Sequence, residues 1–453
     1  MRYRYRDDSE MKDSGVEWIG KIPKDWEIIQ LKYLLKNKIT DGPHETPTFT
    51  NEGIPFLSVD SIKDGKLIFK NSRYISYYDH QKYIKKCRPQ RNDILMGKAA
   101  STGKIAMVET DIEFSIWSPL ALIRANNNII KSKYLEFSMK SSQVQYQIEI
   151  LCTNNTQKNI SMDDISKLKI VYPDINRQEK IANFLDEKTS KFDSLISKKE
   201  ALIEKLEEAK KSLISEVVTG KVKVVRNDDG YELVKRSSDE MRDSGIEWLG
   251  HVPKDWVLIK SARIANIVRG ASPRPAGDPL YFGGNNVPWI TVGEITKDDN
   301  KILDSVSSYL TKLGKQQSRY LEKGTLVLSN SGATLGVPKI LGIEGCINDG
   351  SLAFLNLNIN KNYLYYLLKS RTEIFRKEMQ ISGQPNLNTD VVKSLHILKP
   401  NDLEQKIISE ALDIKNIEIN YLVRNIKLQI EKIKQVKQSL ISEAVTGKIE
   451  ILD

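Results

Sequence analysis

The sequence predicts an α/β (α+β) chain of two globular domains separated by two long antiparallel coiled-coil helices, arranged as a pseudo-two-fold internal repeat. Three observations predict this. Whole stretches of the 453-residue chain recur about 230 residues apart. Each copy ends in a long run of helical apolar spacing. The rest of each copy consists of short apolar runs between turn residues.

The repeat is read first. MKDSGVEWIGKIPKDWE (11–27) returns as MRDSGIEWLGHVPKDWV (241–257), with 11 of 17 positions identical. SLISEVVTGKV (212–222) returns as SLISEAVTGKI (439–449), with nine of 11 identical. The offsets, 230 and 227, are close enough to mean that a whole unit was copied. Weaker echoes lie between: IPFLSVDSI (54–62) with VPWITVGEI (287–295), Asp93-Ile94-Leu95 with Thr325-Leu326-Val327, and TQKNI (156–160) with GQPNL (383–387). The framework repeats while the filling diverges.

Within the globular parts, IPFLSV, DILMG, IAMVE and LALIR read as strands in the first copy, and VPWITV, TLVLSN and LAFLNL in the second. Residues 134–148 and 363–379 read as helices. From about Arg177 to Val218 there is neither Pro nor Gly. Apolar residues there alternate steps of four and three, the seam of a coiled coil. Its candidate positions are Leu185, Phe192, Leu195, Leu202, Leu206 and Leu213. The second copy supplies Leu412, Ile419, Leu422, Ile426, Ile433 and Leu440. Lys188 and Lys415 share one register position, where they could fix register, meet an acidic group on a partner, or lie at a solvated end. A helix of about 42 residues rises about 63 Å. Gly220 and Gly447 suit the position just past each helix end. The expected division is 1–175 globular, 176–220 helix, 221–240 linker, 241–401 globular, and 402–453 helix with a tail.

Charge locates the candidate ligand. The chain carries a net +10. Residues 1–175 hold 27 Lys/Arg against 22 Asp/Glu, and residues 241–401 hold 20 against 14. The helical stretches are close to neutral, so a polyanion would be bound by the globular parts. Candidate DNA-contacting residues in the first are Thr40 and His44 in TDGPHETP, Tyr77, Lys82, Lys85, Lys86 and Arg88 in a Tyr- and Lys-rich stretch, and Lys98 and Ser101 in KAASTGK. In the second they are Arg269, Ser272 and Arg274 in RGASPRP, with Lys315, Arg319, Asn330 and Ser331. Cations neutralise phosphates, and arginine can bond guanine through two donors.

Catalytic signatures are missing. There is no [ND]PP[YF], GxGxxG, GxxxxGK[ST] or HExxH stretch, and the four histidines lack metal spacing. Pro173-Asp174 with Glu208-Ala209-Lys210 mimics a nuclease pattern only loosely. Cys87, Cys152 and Cys346 have no disulfide or zinc spacing, and read as reduced thiols of a cytoplasmic protein. No apolar run is long enough for a membrane span, and the charged N-terminus is not a signal peptide.

In combination, DSG(V/I)EW(I/L)G-x-(I/V)PKDW opening each half, TDGPHETP and RGASPRP, TQKNI and GQPNL, and SLISE-x-VTGK closing each helix resemble the specificity subunits of type I restriction–modification enzymes. The resemblance implies two target-recognition domains, each reading half of a bipartite, asymmetric site on double-stranded DNA, with helix length setting the spacer. It implies two modification subunits that methylate adenine, and restriction subunits, as partners. S-adenosylmethionine, ATP and Mg would be bound by those partners, and this chain would carry no cofactor, no metal and no catalytic residue. A coiled-coil scaffold that binds only protein is the alternative.

Overall fold

The computed structural model describes residues 2–154, 158–228, 230–381 and 386–452. The chain divides into two compact units, Met1–Glu200 with Lys427–Asp453, and Ala201–Ile426. Each unit takes most of one sequence copy and the helix end of the other.

The first unit holds two four-stranded sheets. One orders Ile105–Met107, Ile94–Gly97, Leu120–Ile123 and Thr40–Asp41; the other orders Ser115–Ile116, Ile54–Leu57, Arg73–Ile75 and Phe49–Thr50. The second unit repeats this plan with a five-stranded and a four-stranded sheet. The echoes in the sequence are equivalent strands. Leu95 pairs with Leu122 as Val327 pairs with Ala353. Phe56–Leu57 runs parallel to Ser115–Ile116, as Trp289–Ile290 does to Cys346–Ile347. The helix expected near 134–148 is two helices, Ser132–Lys140 and Ser142–Leu151, whereas its counterpart Lys361–Ile381 is continuous. Ser141 breaks the first: its backbone is extended, and its hydroxyl accepts the Val144 N–H as an N-cap.

The two long helices are Ile175–Val218 and Asp402–Val445. In the first unit they run antiparallel, with Asp193 beside Lys437 (2.5 Å) and Lys199 beside Gln429 (2.6 Å). In the second unit Lys210 bonds Asn420 at 2.8 Å. That is the Asp193–Lys437 contact with the two copies exchanged, each position displaced by 227.

Three of the twelve expected seam residues are one residue out of phase. Leu185, Leu412 and Leu440 are buried, and Phe192, Leu206, Leu213, Ile419, Ile426 and Ile433 partly so. Leu195, Leu202 and Leu422, however, are 43%, 46% and 48% exposed. Val423 and Ile430, each 5% exposed, take the place of Leu422 and Gln429. Ile196 and Ile203, both less exposed than their neighbours Leu195 and Leu202, are the equivalents on the first helix. Adjacent apolar pairs such as Leu202-Ile203 and Leu422-Val423 satisfy either phase of a three-four alternation. Only the partner helix selects one. Lys188 and Lys415 fall outside the observed seam: Lys188 lies over the Phe184 ring and Lys415 pairs with Glu418. Lys199, Lys210 and Lys437 are lysines that do reach across to the other helix.

The 221–240 stretch is not a simple linker. Val222–Asn227 and Gly230–Lys235 form an antiparallel hairpin. In the first unit the two chain ends rebuild the same feature, Tyr3–Tyr5 pairing with Ile449–Ile451. These ribbons explain the duplicated motifs. Gly447 (φ +72°) sits so close to Pro23 that an added Cβ would lie 2.5 Å from its Cγ, and Gly220 (φ +74°) meets Pro253 in the same way. Each Thr-Gly-Lys turn thus packs on the PKDW stretch opening the other copy. Trp26 shares a core with Leu440, Ile441, Ala444 and Val445, and Trp256 shares one with Ile214, Val217 and Val218.

Candidate DNA-recognition loops

The nominated residues of the first unit come from three segments that meet at one carboxylate. Thr40 and Asp41 form an edge strand paired with Leu122 and Ala121. The chain then turns at Gly42, where an added Cβ would stand 1.7 Å from the Ile116 carbonyl oxygen, so only glycine fits. The Asp41 carboxylate is 1% exposed. Around it lie Lys86 Nζ (2.5 Å), His44 Nε2 (3.1 Å) and Lys98 Nζ (3.3 Å). Burial pushes the Asp41 carboxyl up, but Lys86 and Lys98 outweigh it and hold it below the usual carboxylate value.

Other first-unit candidates frame this cluster. Ser76 caps the short helix Tyr77–Tyr83, leaving the Tyr77 side chain exposed. Lys82 pairs with Glu45 at 2.6 Å, tying that helix to the TDGPHETP loop. Arg88 is directed instead to Glu113. Lys85 is exposed and has no polar partner among the described residues. Thr40 Oγ1 donates to Cys87 Sγ. Ser101 lies in a turn whose carbonyl packs against Gly97, and this turn bridges to the TQKNI segment through Ala99 and Asn159. Thr156 and Gln157 of that segment, and residues 383–385 of GQPNL, lie outside the described residues.

The second unit gathers its candidates around Asp349. Ser272 Oγ donates to the Asp349 carboxylate at 2.6 Å, and an Arg274 guanidinium nitrogen is 3.5 Å from it. Arg269 Nε and Asn330 Nδ2 donate to the Asp349 carbonyl, at 2.7 and 3.4 Å. Arg319 Nε donates to the Arg269 carbonyl at 2.8 Å. Lys315 stands apart, its ammonium 3.5 Å from the Tyr320 ring centroid. Ser331 bridges to Asn386 of GQPNL. Gly270 occupies the place of Gly42: an added Cβ would lie 2.0 Å from the Asn348 carbonyl oxygen.

Asp41 and Asp349 were not among the candidates drawn from the sequence. The available signal was an acid standing inside or beside a basic, turn-rich loop. Nothing local reveals which cations such an acid will meet.

Elsewhere, a cavity of about 490 Å³ in the second unit is lined by Lys210, Lys211, Lys339 and Lys369. These four pair with Asp299, Glu373, Asp298 and Asp299 respectively. Among the described residues no group of His, Cys, Asp and Glu is arranged to hold a metal ion. No helix among them is long and apolar enough to cross a membrane.

Residues 23–208 and 253–432 match the family model described as the type I restriction modification DNA specificity domain. The chain is 28% identical, over 96% of its length and 96% of the relative's, to the protein of Methanocaldococcus jannaschii described as the type I restriction enzyme MjaX specificity subunit. It is 21% identical to the MjaIX specificity subunit of the same organism, over 99% and 98% of the two chains. In structure it resembles a chain from work titled "Structural basis underlying complex assembly and conformational transition of the type I R-M system". The TM-score is 0.68 at 15% identity, covering 94% of this chain and 99% of the other. The α/β architecture with two long antiparallel helices is therefore that of known relatives, and the chain belongs to the type I restriction–modification DNA specificity family.

Proposed function

We propose that this chain is the sequence-specific DNA-binding subunit of a type I restriction–modification complex. Residues 1–175 and 241–401 serve as its two target-recognition domains, each reading one half of a bipartite, asymmetric site. One observation carries this reading: each unit gathers basic and polar side chains from separate segments around one aspartate, Asp41 or Asp349, on equivalent frameworks whose surfaces have diverged. Two domains with one scaffold and different reading surfaces suit a site of two unlike halves.

The chain itself does no chemistry under this reading. Two modification subunits methylate adenine at the site, and restriction subunits cleave; S-adenosylmethionine, ATP and Mg belong to those partners, in the cytoplasm. The neutral helices and basic loops support such a division of labour.

The experiment is selection from randomised duplex DNA by the chain co-purified with its modification subunits. A bipartite motif with a fixed unread spacer is expected. A pool that stays random would overturn the proposal, and a contiguous or palindromic motif would overturn the two-domain assignment.

A further inference from the structure

We propose that Asp41 and Asp349 are positioning residues that set sequence discrimination, each for one half of the DNA site. This rests on the DNA-reading function proposed above. A carboxylate among basic loops lowers affinity for a polyanion, because it repels phosphate and neutralises the cations meant for it. Its value must lie in orientation. Asp41 shows this most directly. Burying a carboxylate is costly unless it is paired. Here compensation comes from Lys86, His44 and Lys98, drawn from three chain segments at 2.5–3.3 Å. The Lys86 and Lys98 ammoniums and the His44 ring are thereby each directed at one point.

The second unit builds the same device with donor and acceptor exchanged. The strand position of Asp41, immediately before Gly42, is held there by Arg269, immediately before Gly270. The acid is supplied by Asp349, two residues beyond Ile347; the corresponding residue of the first unit, two beyond Ile116, is Ser118. In one unit the acid sits on the loop and the cations come to it. In the other the turn brings Asp349 to the loop, its carboxylate facing Ser272 and Arg274 while Arg269 donates to its backbone carbonyl. The same framework therefore presents its cations along different directions, which is what reading two unlike half-sites requires.

The test uses the full chain assembled with its modification subunits, comparing Asp41→Asn and Asp349→Asn in randomised-duplex selection and in titrations against specific and non-specific duplexes. For D41N, discrimination at one half-site is expected to fall about tenfold or more while the other half-site is read as before. Affinity for non-specific duplex should be unchanged or higher, with an equal or steeper salt dependence. D349N should do the same at the opposite half. Lys85→Ala is the contrast: it should weaken binding to all sequences alike and reduce the salt slope by about one, with the motif intact. A wild-type complex that selects no motif overturns the DNA reading and this proposal with it. A motif that both variants leave intact, or affinity lost uniformly at both half-sites by folded variants, overturns the positioning role alone. Should D41N fail to fold, D349N, whose carboxylate is partly exposed, decides the question by itself.

Discussion

The Tyr134 hydroxyl oxygen lies 3.1 Å from the carbonyl oxygen of Val445, the last residue of the second long helix, and 2.9 Å from that of Val171. Tyr363 stands in the same relation to Val218, which ends the first long helix, and to Leu398. A helix leaves its last carbonyls without partners inside the helix. In each unit one buried phenol therefore caps the helix arriving from the other sequence copy, sharing its single proton between that helix and a strand.

Removing either phenol hydroxyl leaves buried carbonyls short of a donor. Tyr134→Phe and Tyr363→Phe are each expected to cost about 1–2 kcal/mol. Thermal unfolding should show melting temperatures lower by a few degrees. Equal stability of Tyr134→Phe and wild type would mean that water or another donor already serves Val445.

The corrected seam makes an unusual forecast. Val423→Ala should cost about 2 kcal/mol, since it removes two buried methyl groups and leaves a gap. Leu422→Ala, which removes a larger side chain, should stay within about 0.5 kcal/mol because that side chain faces solvent. Denaturant unfolding distinguishes the two phases; the reverse order would restore the phase read from the sequence.

Gly220→Ala and Gly447→Ala each place a Cβ against a proline ring at positive φ. The left-handed backbone alone costs about 1–2 kcal/mol, and the contact adds to it. Both variants should be less stable in thermal unfolding, while Gly245→Ala, also at positive φ but in open space, should show the backbone cost only.

Asp41 also gives a pH dependence with a definite sign. Its folded-state value lies below the ordinary 3.8. Its contribution to stability is therefore complete above about pH 4–5, and is lost as pH falls through the folded value. The gap in melting temperature between wild type and Asp41→Asn should narrow as pH falls below about 4. A gap that widens on acidification would reverse the sign.

Thiol reactivity checks the core. Cys87 is buried, and burial pushes its thiol up to about 11. At pH 8 it should react slowly with a thiol reagent in the folded chain and readily after denaturation. Fast labelling of the native protein at Cys87 would contradict the packing around Thr40.

Local features of the sequence account for much of this molecule. The repeat, the two helices and their glycine stops, the central strands and the basic loops are all written in short-range patterns. The candidate loops were legible because turn residues and cations cluster along the chain. Which of those cations converge was not. Lys86 and Lys98 reach Asp41 only through the packing of three segments, and Arg88, equally basic and only two residues beyond Lys86, goes to Glu113 instead.

By itself, then, the sequence determined the α/β class, the duplication and the neutral helices joined to basic domains, because periodicity, turn chemistry and charge are properties of neighbouring residues. Tertiary structure alone decided the phase of the seam, the pairing of each helix end with the PKDW stretch of the other copy, and the two carboxylates at the loops. Each of these depends on which distant group desolvates or pairs with a side chain, and a chain in which Leu422 and Val423 are equally apolar carries no local record of that choice.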